Sequence, residues 1–172
     1  MKIENIVYSG TMNQELDLKM LGELCDCVEY GKNKYPGAYL IFDNHRITIY
    51  RTGKYIMPGM KSVEDMESSF EKMKSILSPY ADTNLFQKPT VRNMVCSSDL
   101  GKSLALEQIY VDLVSQDYDV SYEPEAFPGM ILKTDRCTYN IFRGGRFIIL
   151  GCLTSNDAEL AENFLFSLFS DY

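Results

Sequence analysis

Ile49-Tyr50-Arg51-Thr52-Gly53-Lys54 and Ile141-Phe142-Arg143-Gly144-Gly145-Arg146 read as one hexapeptide written twice, 92 residues apart. The same offset relates Tyr35-Pro36-Gly37 to Phe127-Pro128-Gly129, Gly59 to Gly151, and Ser62-Val63-Glu64-Asp65 to Thr154-Ser155-Asn156-Asp157. Upstream, Ile3-Glu4-Asn5-Ile6-Val7 answers Val91-Arg92-Asn93-Met94-Val95 at an offset of 88. Matches in order at nearly constant spacing mark a duplication, with a few extra residues in the first part of the second copy. The copies are expected at 1–80 and 90–172, with a linker at 81–89.

Each copy repeats one grammar. A short alternating strand opens it, near 2–8 and 90–96. A helical stretch follows, with Leu18, Leu21, Cys25 and Val28 in one copy and Leu106, Ile109, Tyr110 and Leu113 in the other at 3–4 spacing. Three β-rich runs come next, near 37–43, 46–51 and 54–58, and near 129–134, 137–143 and 146–151. Gly53 and the Gly144-Gly145 pair supply hairpin positions that need positive φ. A closing helix starts at Ser62 or Thr154, each with an aspartate three residues on that can bond back. Val63, Met66, Phe70, Met73 and Ile76 form the apolar stripe of the first closing helix; Leu160, Ala161, Phe164, Leu165 and Leu168 form that of the second.

The expected class is α+β. Two β-α-β-β-β-α units pair by pseudo-two-fold symmetry into one duplicated, saddle-shaped domain. It has one long curved antiparallel sheet with four helices on the convex face. The opposite face is then bare and carries apolar residues such as Val7, Ile56, Val95 and Ile148, so it is expected to bind something.

Composition excludes several classes. Hydrophobic residues at 45% and charged residues at 24% are globular values, which rules out disorder. No apolar run approaches the ~18 residues of a membrane span. The opening Met1–Val7 goes straight into an alternating segment without a long apolar stretch, so an intracellular location without membrane contact is expected. Five cysteines, an odd number, read as reduced thiols.

Catalytic chemistry is not legible. His45, the one histidine, lies in the apparent turn Asp43-Asn44-His45-Arg46, where it reads as solvated, and no triad or metal set forms around it. Cys25 and Cys27 are two apart on a helical pattern and face different ways, so a zinc site is not expected. Gly144-Gly145 is not followed by the lysine and helix of a phosphate loop. Neither enzyme activity nor a cofactor is expected.

A net charge of −7 weighs against nucleic acid when taken alone, but the charge is segregated. Residues 46–61 hold Arg46, Arg51, Lys54 and Lys61 without an acid, and 130–147 hold Lys133, Arg136, Arg143 and Arg146 against Asp135 alone. Residues 112–125 hold Asp112, Asp117, Asp119, Glu123 and Glu125 without a base. On composition alone, solvated loops and faces are the favoured account of such runs.

The duplicated pattern, and above all Tyr122-Glu123-Pro124-Glu125-Ala126-Phe127-Pro128-Gly129, resembles the TATA-box-binding protein family. The openings Ile3–Val7 and Val91–Asp99 are most similar to archaeal members, and the likeness runs through both copies in order. It implies a transcription initiation factor whose concave sheet lies in the minor groove of double-stranded promoter DNA and bends A·T-rich sites. It also implies recruitment of a transcription factor B-like protein.

Carried over by position, Asn5 and Asn93 match the asparagines that bond base acceptors near the centre of the site. Val7 and Val95 press on the groove floor, joined by Ile56 and Ile148. Phe127 and Phe142 match the wedge phenylalanines, and Tyr35 and Tyr50 occupy the same places in the first copy. Lys54, Lys133 and Arg146 match backbone-contacting bases. Glu123, Glu125 and Ala126 lie where the family meets transcription factor B. A bare concave face also permits a homodimer when DNA is absent.

The chain departs from the family pattern, mostly in its first copy. Tyrosine stands at both wedge positions, Pro58 and Leu150 replace threonines, and Ile41 stands where an arginine is expected, with Asp43 nearby. These changes imply a weaker or altered A·T preference, with binding dominated by the second copy and steep in salt. They also motivate a competing reading: a divergent paralogue that serves mainly as a protein-interaction module or specialised regulator.

Overall fold

A computed structural model describes residues 1–31 and 35–172. The first copy runs through strand β1 (Lys2–Thr11), helix α1 (Leu18–Leu24), strands β2 (Val28–Glu29), β3 (Ala38–Phe42), β4 (His45–Ile49) and β5 (Lys54–Met60), and helix α2 (Val63–Leu77). A 3-10 turn at Thr83–Leu85 precedes the second copy. That copy comprises β6 (Thr90–Asp99), α3 (Leu106–Ser115), β7 (Asp119–Ser121), β8 (Met130–Lys133), β9 (Thr138–Ile141), β10 (Arg146–Cys152) and α4 (Ser155–Leu168). The class is α+β. The chain divides into two compact units, an N-terminal one of Asn5–Arg92 and a C-terminal one of Met1–Glu4 with Asn93–Tyr172. Strand order is β2-β3-β4-β5-β1 in the first and β7-β8-β9-β10-β6 in the second, with antiparallel pairing throughout each.

Both copies therefore hold one strand more than the sequence pattern suggested. Val28 is not the last member of a helical stripe. The α1 helix ends at Leu24, with the Cys25 N–H bonded to the Leu21 carbonyl, and Val28 pairs with Leu40 in β2. A β-branched residue gains more from that pleated, half-buried setting than from a frayed helix end. The β7 strand spans three residues, too few for alternation to show.

Alternate residues of each sheet face the helices. Tyr55 stacks on Phe70 of α2 with ring centroids 6.2 Å apart, and Phe147 meets Phe166 of α4 edge-on at 6.0 Å. The Tyr139 hydroxyl donates to the Ala161 carbonyl at 3.0 Å. Tyr55, Met57, Tyr139, Phe147 and Ile149 are fully buried, each side chain contributing about 1.5–3 kcal/mol. Burial pushes the Tyr55 and Tyr139 phenols well above their ordinary range, so both remain neutral donors.

The closing helices bury stripes slightly rotated from those expected. Met66, Phe70, Met73 and Leu77 are buried along α2, whereas Val63 is exposed and Ile76 half-buried. Spacings of 4, 3 and 4 keep that set on one face, while Val63 is the first helical residue and lies at the end of the stripe. Along α4, Ala158, Ala161, Leu165 and Phe169 fill the core, while Leu160 and Phe164 are exposed and Leu168 is half-buried. The capping box closes at Thr154 and Asp157, where side chain and backbone exchange bonds of 3.0 Å. At α2 the Ser62 hydroxyl accepts from the Asp65 N–H, but the Asp65 carboxylate accepts from Lys61 rather than Ser62. Its other oxygen lies 3.3 Å from His45 Nε2. His45 thus opens β4 with a carboxylate partner and is not simply a solvated turn residue.

Gly53 and Gly145 have φ of +79° and +89°, as the hairpins require, while Gly144 has no such need. All five cysteines are free thiols. No helix of the described residues is long and apolar enough to cross a membrane.

Candidate nucleic-acid interface

In each unit the sheet face turned away from the helices is half-exposed. Asn5, Val7 and Ser9 alternate with buried Ile6 and Tyr8 along β1, and Asn93, Val95 and Ser97 alternate with buried Met94 and Cys96 along β6. Strand register assembles matching rows. Tyr39, Thr48, Ile56 and Ser9 are successive cross-strand partners in the N-terminal unit; Ile131, Asn140, Ile148 and Ser97 are so in the C-terminal unit. A second C-terminal row runs Lys133, Thr138, Leu150 and Val95. Thr48 and Asn140 were not singled out from the sequence. Their signal was available, since they are 92 residues apart and each is flanked on both sides by large apolar or aromatic residues.

A β-bulge fixes the two asparagines. Register between β1 and β5 slips where Ile6 pairs with Met60 but Tyr8 with Met57. Register between β10 and β6 slips likewise between Leu150 and Cys152. Each slip contains a glycine at positive φ, Gly59 at +84° beside Pro58 and Gly151 at +96°. Bulging takes the glycine N–H out of the ladder. The Asn5 Oδ1 accepts it at 2.8 Å, and the Asn93 Oδ1 accepts its counterpart at 2.9 Å. Each carboxamide is thereby oriented, and its Nδ2 donates no bond among the described residues. Two amide donors are left on the open face, one per unit, beside Val7 and Val95.

The four aromatics form two pairs, each beside a glycine. Phe127 and Phe142 meet edge-on at 5.8 Å and are half-exposed. A Cβ on Gly129 would stand 2.7 Å from the Phe127 ring and 3.0 Å from the Phe142 ring, so the absence of a side chain there lets both rings sit. Tyr35 and Tyr50 lie 6.4 Å apart over Gly37, with their hydroxyls 2.8 Å from each other. Tyr35 also stacks on Tyr39 at 5.3 Å, and the Arg46 guanidinium lies 3.7 Å over the Tyr39 ring. Tyr39 was not picked out from the sequence, and Arg46 only as a member of a basic run.

Electrostatics differ between the units. Beside Tyr50, a hollow in the N-terminal unit is lined by Arg51, Lys54, Lys88 and Arg92, with no carboxylate among the described lining residues. The corresponding hollow beside Phe142 is lined by Lys2 and Arg146 together with Glu4 and Asp99. Arg146 Nε lies 3.8 Å from Asp99, and the Ser97 hydroxyl donates to Glu4 at 2.7 Å. Lys133 is exposed on β8. Glu123, Glu125 and Ala126 are exposed on the loop ahead of Phe127, where the N–H groups of Ala126 and Phe127 both bond the Glu123 carbonyl at 2.9 Å. Among the described residues no set of His, Cys, Asp and Glu is arranged to hold a metal ion.

The family model described as transcription factor TFIID (or TATA-binding protein, TBP) matches residues 1–80 and 88–172. TATA-box-binding protein 2 of Haloferax volcanii is 32% identical over 168 residues, covering 93% of this chain and 88% of that protein. The TATA-box-binding protein of Pyrobaculum neutrophilum is 31% identical over 175 residues, covering 99% and 87%. Among solved structures, Methanococcus jannaschii TBP superposes with a TM-score of 0.85 at 26% identity, covering 99% of this chain and 98% of that one. A family match along almost the whole chain, joined to a shared fold, makes this protein a member of the TATA-binding protein family.

Proposed function

We propose that this chain is a transcription initiation factor that binds A·T-rich promoter DNA through the minor groove, bends it, and recruits a transcription factor B-like protein. The bulge-held pair Asn5 and Asn93 carries the reading. An A·T pair shows only acceptors in the minor groove, the adenine N3 and thymine O2, and an Nδ2 donor whose Oδ1 is already bonded suits them. Guanine adds an N2 donor at that place, which an amide donor opposes. Val7, Val95, Ile56 and Ile148 supply apolar floor contacts around those donors.

Bending follows from the Phe127–Phe142 pair. Wedges of this kind enter a base step, unstack it and kink the duplex toward the major groove, a mechanism of which TATA-binding proteins are themselves the standard example. Flexible pyrimidine–purine steps such as TA deform most easily. Arg51, Lys54, Arg92 and Lys133 supply attraction to phosphates, and Arg146 does so when Asp99 releases it. The acidic loop with Glu123, Glu125 and Ala126 suits a basic surface on the recruited factor. When DNA is absent, a second copy of the chain is the partner that would cover the same half-apolar face.

A gel-shift series on A·T-rich duplexes, with the bend read by circular permutation, tests the proposal. Phe127→Ala with Phe142→Ala is expected to abolish the bend and weaken binding. Unchanged bending would count against it. Failure of the purified chain to bind any promoter duplex at ordinary salt would favour the protein-interaction module instead.

A further inference from the structure

The two aromatic pairs are equivalent in the repeat and different in chemistry. Phe127 and Phe142 offer hydrocarbon rings without a polar atom. Tyr35 and Tyr50 offer two hydroxyls that bond each other at 2.8 Å in a half-buried setting. Two hydroxyls bring two donors and four acceptor lone pairs. Their mutual bond uses one of each, so one O–H and three lone pairs remain. Stacking of Tyr35 on Tyr39, with Arg46 over the far ring, holds this pair in place. That bond is also the main cause raising the Tyr35 phenol above its ordinary range, which keeps it protonated.

Resting on the minor-groove reading above, we infer that the Tyr35–Tyr50 hydroxyl pair is a specificity element that accepts a G·C base pair at the step it contacts. Guanine's N2 amine is a donor that projects into the minor groove. Against a phenylalanine pair that donor is desolvated without a partner. Against the tyrosine pair it meets free lone pairs, and the remaining O–H still serves the acceptors of an A·T pair. The expected binding site is thus A·T-restricted where the C-terminal unit wedges and permissive at one step beneath the N-terminal unit. This goes beyond a general loss of A·T preference, because tolerance is confined to one step and assigned to two oxygen atoms.

The test is a scan in which one G·C pair is moved along an A·T-rich duplex, with affinity read by fluorescence anisotropy relative to the all-A·T duplex. For the native chain the penalty is expected to be about tenfold or more at most positions of the site, the cost of an unpaired buried donor, and under about threefold at one position. Y35F with Y50F keeps both rings and is expected to raise that one penalty to the general level. F127Y with F142Y is expected to create a second tolerant position. A penalty profile of the native chain without a tolerant position, or one that Y35F with Y50F leaves unchanged, overturns the assignment while all-A·T binding leaves the promoter reading standing. Absence of binding to every duplex overturns both.

Discussion

Glu4 and Arg92 hold the same place in the two copies, 88 residues apart, and carry opposite charges. Each is anchored to the equivalent serine of the open face. Ser97 donates to the Glu4 carboxylate at 2.7 Å, and the Arg92 guanidinium donates to Ser9 at 2.6 Å. The inversion makes one hollow cationic and the other mixed. Tyr35, Tyr50, Pro58, Ile41 and Asp43 lead to the expectation that the second copy dominates binding, and the charge distribution adds a separate consideration. On the proposed function, the N-terminal unit is expected to carry more of the phosphate attraction and the C-terminal unit the wedge without hydroxyls.

Salt titration separates these contributions. Arg92→Gln is expected to weaken binding and to reduce the slope of log affinity against log salt by about 0.9, the value of one released counterion on duplex DNA. Glu4→Gln is expected to strengthen binding. An unchanged slope for Arg92→Gln would show that Arg92 contacts no phosphate.

The bulge contact allows stability and recognition to be separated at Asn93. Asn93→Ala removes the acceptor from the Gly151 N–H and is expected to cost about 1 kcal/mol of stability along with affinity. Asn93→Asp keeps that acceptor but loses the Nδ2 donor, so the melting temperature is expected to hold while affinity falls about tenfold or more. Equal loss of stability in both variants would mean that the bulge does not need this cap. Asn5 and Gly59 provide the same test in the other unit.

Close approach at Gly129 predicts a recognition defect with little cost in folding. The nearest atoms an added methyl meets are the ends of the half-exposed Phe127 and Phe142 rings. Gly129→Ala is therefore expected to reduce bending with a small change in melting temperature. Gly37→Ala also meets the Ile49 carbonyl at 3.0 Å, a backbone atom that cannot yield so readily, and is expected to lower the melting temperature more.

Acid should weaken the α4 cap. The Thr154 hydroxyl and N–H hold the Asp157 carboxyl below the usual carboxylate range. A carboxyl depressed in the folded state adds stability in full above its unfolded pKa, and that stability is lost as pH falls through the folded pKa. Asp157→Asn is expected to lower the melting temperature at neutral pH, with the gap to the native chain closing on acidification. A gap that stays constant down to low pH would rule out this titration.

Periodicity and repetition in the sequence by themselves determined the duplicated α+β grammar, the closing helices with their N-caps Ser62 and Thr154, and the correspondence of Tyr35 with Phe127, Tyr50 with Phe142 and Asn5 with Asn93. Those properties are local, or follow from copying a local pattern, so the order of residues contains them. Short strands such as β2 and β7 escaped because two or three residues have no period to display. Tertiary structure alone decided what each side chain meets across the sheet. The Asn5–Gly59 and Asn93–Gly151 bonds join residues 54 and 58 positions apart through a register slip. The contrast of Glu4 with Arg92, the placing of Thr48 and Asn140 in the cross-strand rows, and the Tyr35–Tyr50 bond belong to the same class. Register is settled by the summed packing and hydrogen bonding of whole strands, and a one-residue slip would turn every one of these side chains to the other face.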